Sequence, residues 1–208
     1  MKSIRVLSQP MVGVLTLLLI AGTTILVPAE QTLGTNLSLI ILHGAWVWAG
    51  LITFAAASLS ALYAFLSQKS WAHLLSQSLA KTGLFFWLTY LPMSLLVMQL
   101  NWGGLFFDEP RWRIPFSFAV VGILGQTGLA LIDRKNLSAA FNLVFAPVLW
   151  YSLSASETIL HPESPISQSQ SGRIPVFFAI LLTLALVFGA QMAAWWMNRS
   201  LRTEPAGQ

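Results

Sequence analysis

The sequence predicts an all-α, polytopic membrane protein: a bundle of six transmembrane helices with both termini in the cytoplasm. Three observations lead there. Of the 208 residues, 56% are hydrophobic and only 9% charged, whereas a soluble domain carries about 25% Asp, Glu, Lys and Arg. The apolar residues fall in blocks near the roughly 20 residues that about 30 Å of hydrocarbon requires. The blocks also lack the short alternating strands of a membrane barrel, so helix is the conformation in which each span satisfies its own backbone.

No charge interrupts the chain between Arg5 and Glu30, and a first span over 10–27 is closed by Pro28. The basic start, Met1-Lys2-Ser3-Ile4-Arg5, has the outline of a secretory signal, but five further hydrophobic segments follow, so it reads as an uncleaved first helix. The second span, 37–66, is long enough to tilt or to project from the hydrocarbon. The third covers about 83–100, the fourth 114–132, the fifth 137–156 and the sixth 174–197. Together they make one membrane domain over 1–208, with no internal repeat of the kind that marks duplicated transporters.

Orientation follows from the basic residues. With the amino terminus inside, Lys2, Arg5, Lys69, Lys81, Arg134, Lys135, Arg199 and Arg202 are cytoplasmic, and only Arg111, Arg113 and Arg173 lie opposite. Basic residues concentrate on the cytoplasmic side of membrane proteins. The formal charge of +4 is therefore an orientation signal, and a nucleic-acid partner is not expected. The outward segments are 28–36, an aromatic loop at 101–113, and 157–173, which holds the polar run 164–172.

Several chemistries are excluded. The chain has no cysteine, which removes disulfides, thiolate zinc sites and covalent heme attachment. The spans carry no paired carboxylates or rows of charge such as proton relays and ion pathways use. Asp108 and Glu109 are adjacent on a loop, a poor fit to a positioned acid–base pair. There is no phosphate-binding glycine loop, metalloprotease motif or nucleophile elbow. An enzyme is not expected.

The loop Asn101-Trp102-Gly103-Gly104-Leu105-Phe106-Phe107-Asp108-Glu109-Pro110-Arg111-Trp112-Arg113 joins four aromatic rings, two carboxylates and two guanidinium groups to a glycine pair. Glycine lets backbone approach a flat object closely. The plain alternative is an interfacial aromatic belt with snorkelling arginines. The three histidines weigh against the plain reading. His73 falls in a cytoplasmic loop over 67–81 and is expected to be a solvated interfacial residue. His43 lies about 10 Å of helix beyond Asn36, near the outer end of the second span. His161 follows the outer end of the fifth. Neutral imidazole is a common axial ligand of heme iron, and an aromatic, arginine-bearing platform between two imidazoles suits a flat macrocycle with anionic propionates. Trp46 and Gly50 share a helix face with His43, which suits a planar ligand or the packing of another helix. His43 alone also fits a hydrogen bond to a neighbouring helix, and His161 an ordinary loop position.

At these residues the chain resembles a known family. Leu42-His43-Gly44-Ala45-Trp46 is similar to that family's histidine–tryptophan helix start, Trp102-Gly103-Gly104 through Asp108-Glu109-Pro110-Arg111 to its tryptophan-rich WWD loop, and Leu160-His161-Pro162 to its second histidine. The family is the cytochrome c assembly, or heme-handling, family, in the six-span size of its heme-exporter C branch. The resemblance implies that His43 and His161 are axial ligands of a non-covalent, transient heme b. It also implies that Trp46, Trp102, Gly103, Phe106, Phe107, Glu109, Arg111, Trp112 and Arg113 carry the macrocycle. The implied function is heme binding and transfer in cytochrome c biogenesis, at the periplasmic face of a bacterial inner membrane. The implied partners are a periplasmic heme chaperone or apocytochrome c and other maturation subunits, including an ABC-type exporter. Leu105, Phe106 and Phe107 stand where the family repeats tryptophan, and Glu109 replaces its usual aspartate. Phe still stacks, but the indole N–H donors are lost. The competing expectation is a non-catalytic accessory subunit of a membrane complex.

Overall fold

The computed structural model describes residues 9–29, 34, 36–157, 159 and 171–203. Among these the chain is all-helical, with six helices and no strand. They are α1 (Pro10–Ile25), α2 (Leu37–Ser67), α3 (Ser70–Trp102), α4 (Pro110–Ile132), α5 (Lys135–Ser154) and α6 (Arg173–Thr203). Helices α2 to α6 are each long and apolar enough to cross a membrane, while α1 is shorter.

The ends have local causes. Proline occupies the first turn of α1 and of α4, where a missing N–H costs nothing. Gln68, Gly103 and Asp133 close α2, α3 and α4 in the left-handed conformation. The turns Gln68-Lys69 and Asp133-Arg134 are so short that the helices they join must run antiparallel.

Two helix starts lie ahead of expectation. Helix α4 begins at Pro110 rather than 114, so Arg111, Trp112 and Arg113 of the expected loop stand on its first turn. Of the loop expected over 67–81, residues 70–81 are instead the first turns of one 33-residue helix that runs on through the span expected at 83–100. The segment has no proline or glycine and is dominated by good helix formers. It presents Ala72, Ser76 and Ala80 at helical spacing to the bundle, and all three are buried. Small side chains let α2 and α3 approach closely, and Ser76 Oγ donates to the Ala57 carbonyl at 2.9 Å. His73 lies on these turns and is only 5% exposed, so the expected solvated interfacial histidine is a buried one.

The α2–α3 hairpin is the centre of the bundle. Helices α5 and α6 pack on α2, α6 also packs on α3, α4 flanks α3 and α5, and α1 leans mainly on α6. The core is aromatic and small-residue: Phe54 meets Trp87 at 5.9 Å and Phe145 at 4.9 Å, and Gly83 of α3 lies under the Phe54 ring. Polar side chains are buried inside. Gln126 Nε2 donates to Asn142 Oδ1 at 2.8 Å, and Asn142 Nδ2 to Ser76 Oγ at 3.0 Å, tying α4, α5 and α3 together. Large apolar side chains face outward on α1 and α4, among them Leu18, Leu124 and Leu131. Apolar outside with polar contacts inside is the arrangement for a hydrocarbon surrounding.

Candidate functional site at the aromatic loop

Asn36 Nδ2 donates to the Leu100 carbonyl at 3.3 Å, so the start of α2 and the last turn of α3 are held side by side. The aromatic loop that follows α3 and the first turns of α2 therefore occupy the same end of the bundle. His43, two turns into α2, is half-buried, with its ring 5.6 Å from that of Tyr90 on α3.

The residues beside His43 are committed to packing. Trp46 is buried; its Nε1 donates to Thr89 Oγ1 at 2.8 Å, and its ring meets Phe86 edge-on at 4.8 Å and Phe188 at 6.2 Å. A Cβ at Gly50 would lie 3.3 Å from Phe86 Cβ and 3.4 Å from Trp87 Cε3. The face that suited either a planar ligand or a neighbouring helix is filled by the aromatics of α3.

The loop itself stays open. Gly103, at φ 68°, ends α3 in a conformation that favours glycine. Leu105, Phe106, Phe107 and Asp108 are exposed. Glu109 is buried at the start of α4, where its carbonyl accepts the N–H groups of Trp112 and Arg113, both at 2.9 Å. Its position is that of a helix start, whereas the neighbouring Asp108 faces solvent. Trp102 meets Phe106 at 6.5 Å. A second aromatic row runs from Phe107 through Trp112 to Phe116, with centroids 5.1 Å apart at each step and the last pair stacked within 11°. The Trp112 Nε1 donor is buried and has no acceptor among the described residues. Arg111 and Arg113 are exposed. Arg113 borders an open cleft of about 260 Å³ between α4 and α5, shared with Ile114, Ser117, Phe118 and Ser152.

His161 lies outside the described residues, as does most of the segment 157–173. Among the described residues no three of His, Asp or Glu gather as a metal site. No protein-family model, curated protein or solved structure matches this chain. What the chain can do therefore rests on its own residues: a half-buried imidazole two turns into α2 and, at the end of the apolar bundle where α2 starts, a set of exposed rings and guanidinium groups. Tyr90 and Thr89, which meet His43 and Trp46, were not singled out from the sequence, because they become neighbours only through the α2–α3 register. Phe116 was within reach of sequence reasoning, standing one helical turn from Trp112.

Proposed function

We propose that the chain is a heme-binding and heme-transfer protein of cytochrome c biogenesis, holding heme at the outer face of a bacterial inner membrane. The observation that supports it is the shared end of the bundle: the Asn36–Leu100 hydrogen bond sets the start of α2, two turns ahead of His43, against the end of α3, from which the aromatic loop begins, and the Phe106 and Phe107 rings of that loop are exposed rather than packed away. The donor set fits a non-covalent heme b. His43 offers one axial nitrogen, Phe106 and Phe107 offer apolar faces, and Arg111 and Arg113 offer charge for propionates. His161 is the second axial ligand in this reading. Trp46 and Glu109 serve the fold rather than the ligand. Bound heme would supply an iron centre for coordination and handover rather than turnover, with a periplasmic heme chaperone or apocytochrome c receiving it.

The orientation belongs to the same proposal: six spans, both termini in the cytoplasm, and 101–113 and 157–173 outside. Because the chain has no native cysteine, single cysteines at Ser169 and Ser70 report orientation cleanly. External labelling at Ser169 alone is the expected pattern, and the reverse pattern would overturn the topology.

The optical spectrum of the purified protein with added heme tests the function. A bis-histidine Soret and α/β pattern is expected, altered by His43→Ala and by His161→Ala and unaltered by His73→Ala. Arg111→Ala should weaken uptake without changing the coordination spectrum. The burial of Trp46 and the filling of the Gly50 face favour the accessory-subunit reading as the second choice. Unchanged spectra in both ligand variants of a folded protein, or no specific heme uptake, would make it the first.

A further inference from the structure

A second site is built at the opposite end of the bundle, where α3 and α6 meet. Lys81 Nζ lies 5.4 Å from the ring of Trp196, and the Arg199 guanidinium 5.5 Å from the ring of Trp195. The two indoles are themselves in contact, with centroids 4.5 Å apart. Trp196 Nε1 is a buried donor with no acceptor among the described residues. The charge acting on Lys81 is the like charge of Arg199, and among the described residues no carboxylate pairs with Lys81. The Lys81 ammonium and an unsatisfied N–H donor therefore lie together where an acceptor carrying negative charge would complete both.

The depth of this cluster identifies the acceptor. Lys81 stands about 32 Å along α3 from Trp102, and Trp195 about 33 Å along α6 from Arg173, at 1.5 Å per residue. Both lengths match the roughly 30 Å of bilayer hydrocarbon, so the cluster sits where the headgroups of one leaflet begin. The α2–α3 hairpin continues past it to Gln68-Lys69, roughly 16 Å farther along α3. Tryptophan favours that interfacial layer. Trp195 and Leu201 are exposed beside the cations, giving an apolar border to a charged pocket. A diffusible anion has no use for such a border, whereas a lipid does.

We infer that Lys81 and Trp196, in the field of Arg199, bind the phosphate of an anionic phospholipid in the leaflet at this end of the bundle. Lys81 supplies the charge-assisted hydrogen bond, the Trp196 indole supplies the second donor, and the neighbouring acyl chains run along the apolar faces of α3 and α6. This site is independent of heme handling and lies at the other end of the molecule.

Native mass spectrometry of the full-length, heme-free protein, titrated with phosphatidylglycerol and with phosphatidylcholine, tests it. Phosphatidylglycerol should bind preferentially. Lys81→Gln should weaken it about tenfold and Trp196→Phe, which keeps a ring but removes the N–H, about threefold. Lys81→Arg should retain binding. Lys69→Gln at the same end should change nothing, because Lys69 Nζ is engaged by Tyr63, 3.4 Å from its hydroxyl. If Lys81→Gln does not fold, the Trp196→Phe result decides. Equal binding of the two lipids, wild-type affinity in both Lys81→Gln and Trp196→Phe, or displacement of phosphatidylglycerol by equimolar inorganic phosphate would each overturn the assignment.

Discussion

Trp46→Phe separates a packing residue from a ligand-binding one. The substitution keeps an aromatic ring on α2 but removes the Nε1 donor that reaches Thr89 Oγ1 at 2.8 Å. Thr89 still donates to the Phe85 carbonyl at 2.7 Å, so no donor on Thr89 is orphaned. The lost bond is then worth about the interhelical average in membranes, ~0.6 kcal/mol. The smaller ring also leaves a void against Phe86 and Phe188, which meet Trp46 at 4.8 and 6.2 Å. In lipid the unfolded reference already keeps apolar surface out of water, so the void costs chiefly dispersion, about 1–1.5 kcal/mol. Together the loss is about 2 kcal/mol, with no change in any heme spectrum. Reversible unfolding in mixed micelles measures the first, and heme titration of the same samples the second. A variant with wild-type stability and altered heme coordination would refute the packing role and return Trp46 to the ligand site.

Two further substitutions probe the packing of α3. A Cβ at Gly83 would sit 2.7 Å from Phe54 Cδ1 and 3.0 Å from its Cγ, and the ring is hemmed in by Trp87 and Phe145. Gly83→Val should therefore destabilise the α2–α3 hairpin by about 2–3 kcal/mol, read as a lowered melting temperature. Adding Phe54→Ala should return part of that loss, and the absence of any rescue would rule out the steric cause. Asn142→Ala removes the bonds to Gln126 and Ser76, at 2.8 and 3.0 Å, and should cost about 1–2 kcal/mol. A double-mutant cycle with Ser76→Ala should show clear coupling, and strict additivity would mean that the two side chains do not act together.

The sequence by itself determined what depends on local or compositional physics. A charge fraction far below that of a soluble domain decided the all-helical, membrane-compatible class, because helices are the simplest way to satisfy backbone groups away from water. Pro10 at a helix start and the short turn at Asp133-Arg134 act within a few residues, so the elements they bound were legible, whereas Pro110 was read as loop and the structure starts α4 there. The tertiary structure alone decided which face of each helix meets a neighbour. Successive residues on a helix turn by about 100°, and no local signal says whether the aromatic face of α2 awaits a ligand or is covered by Phe86 and Trp87 of α3. The burial of Trp46, the filling of the Gly50 face and the pairing of His43 with Tyr90 all follow from one α2–α3 register. The same holds for residues 70–81. Their polar side chains resemble a loop in sequence, yet Ala72, Ser76 and Ala80 make them a helix because α2 offers a small-residue surface on which they pack.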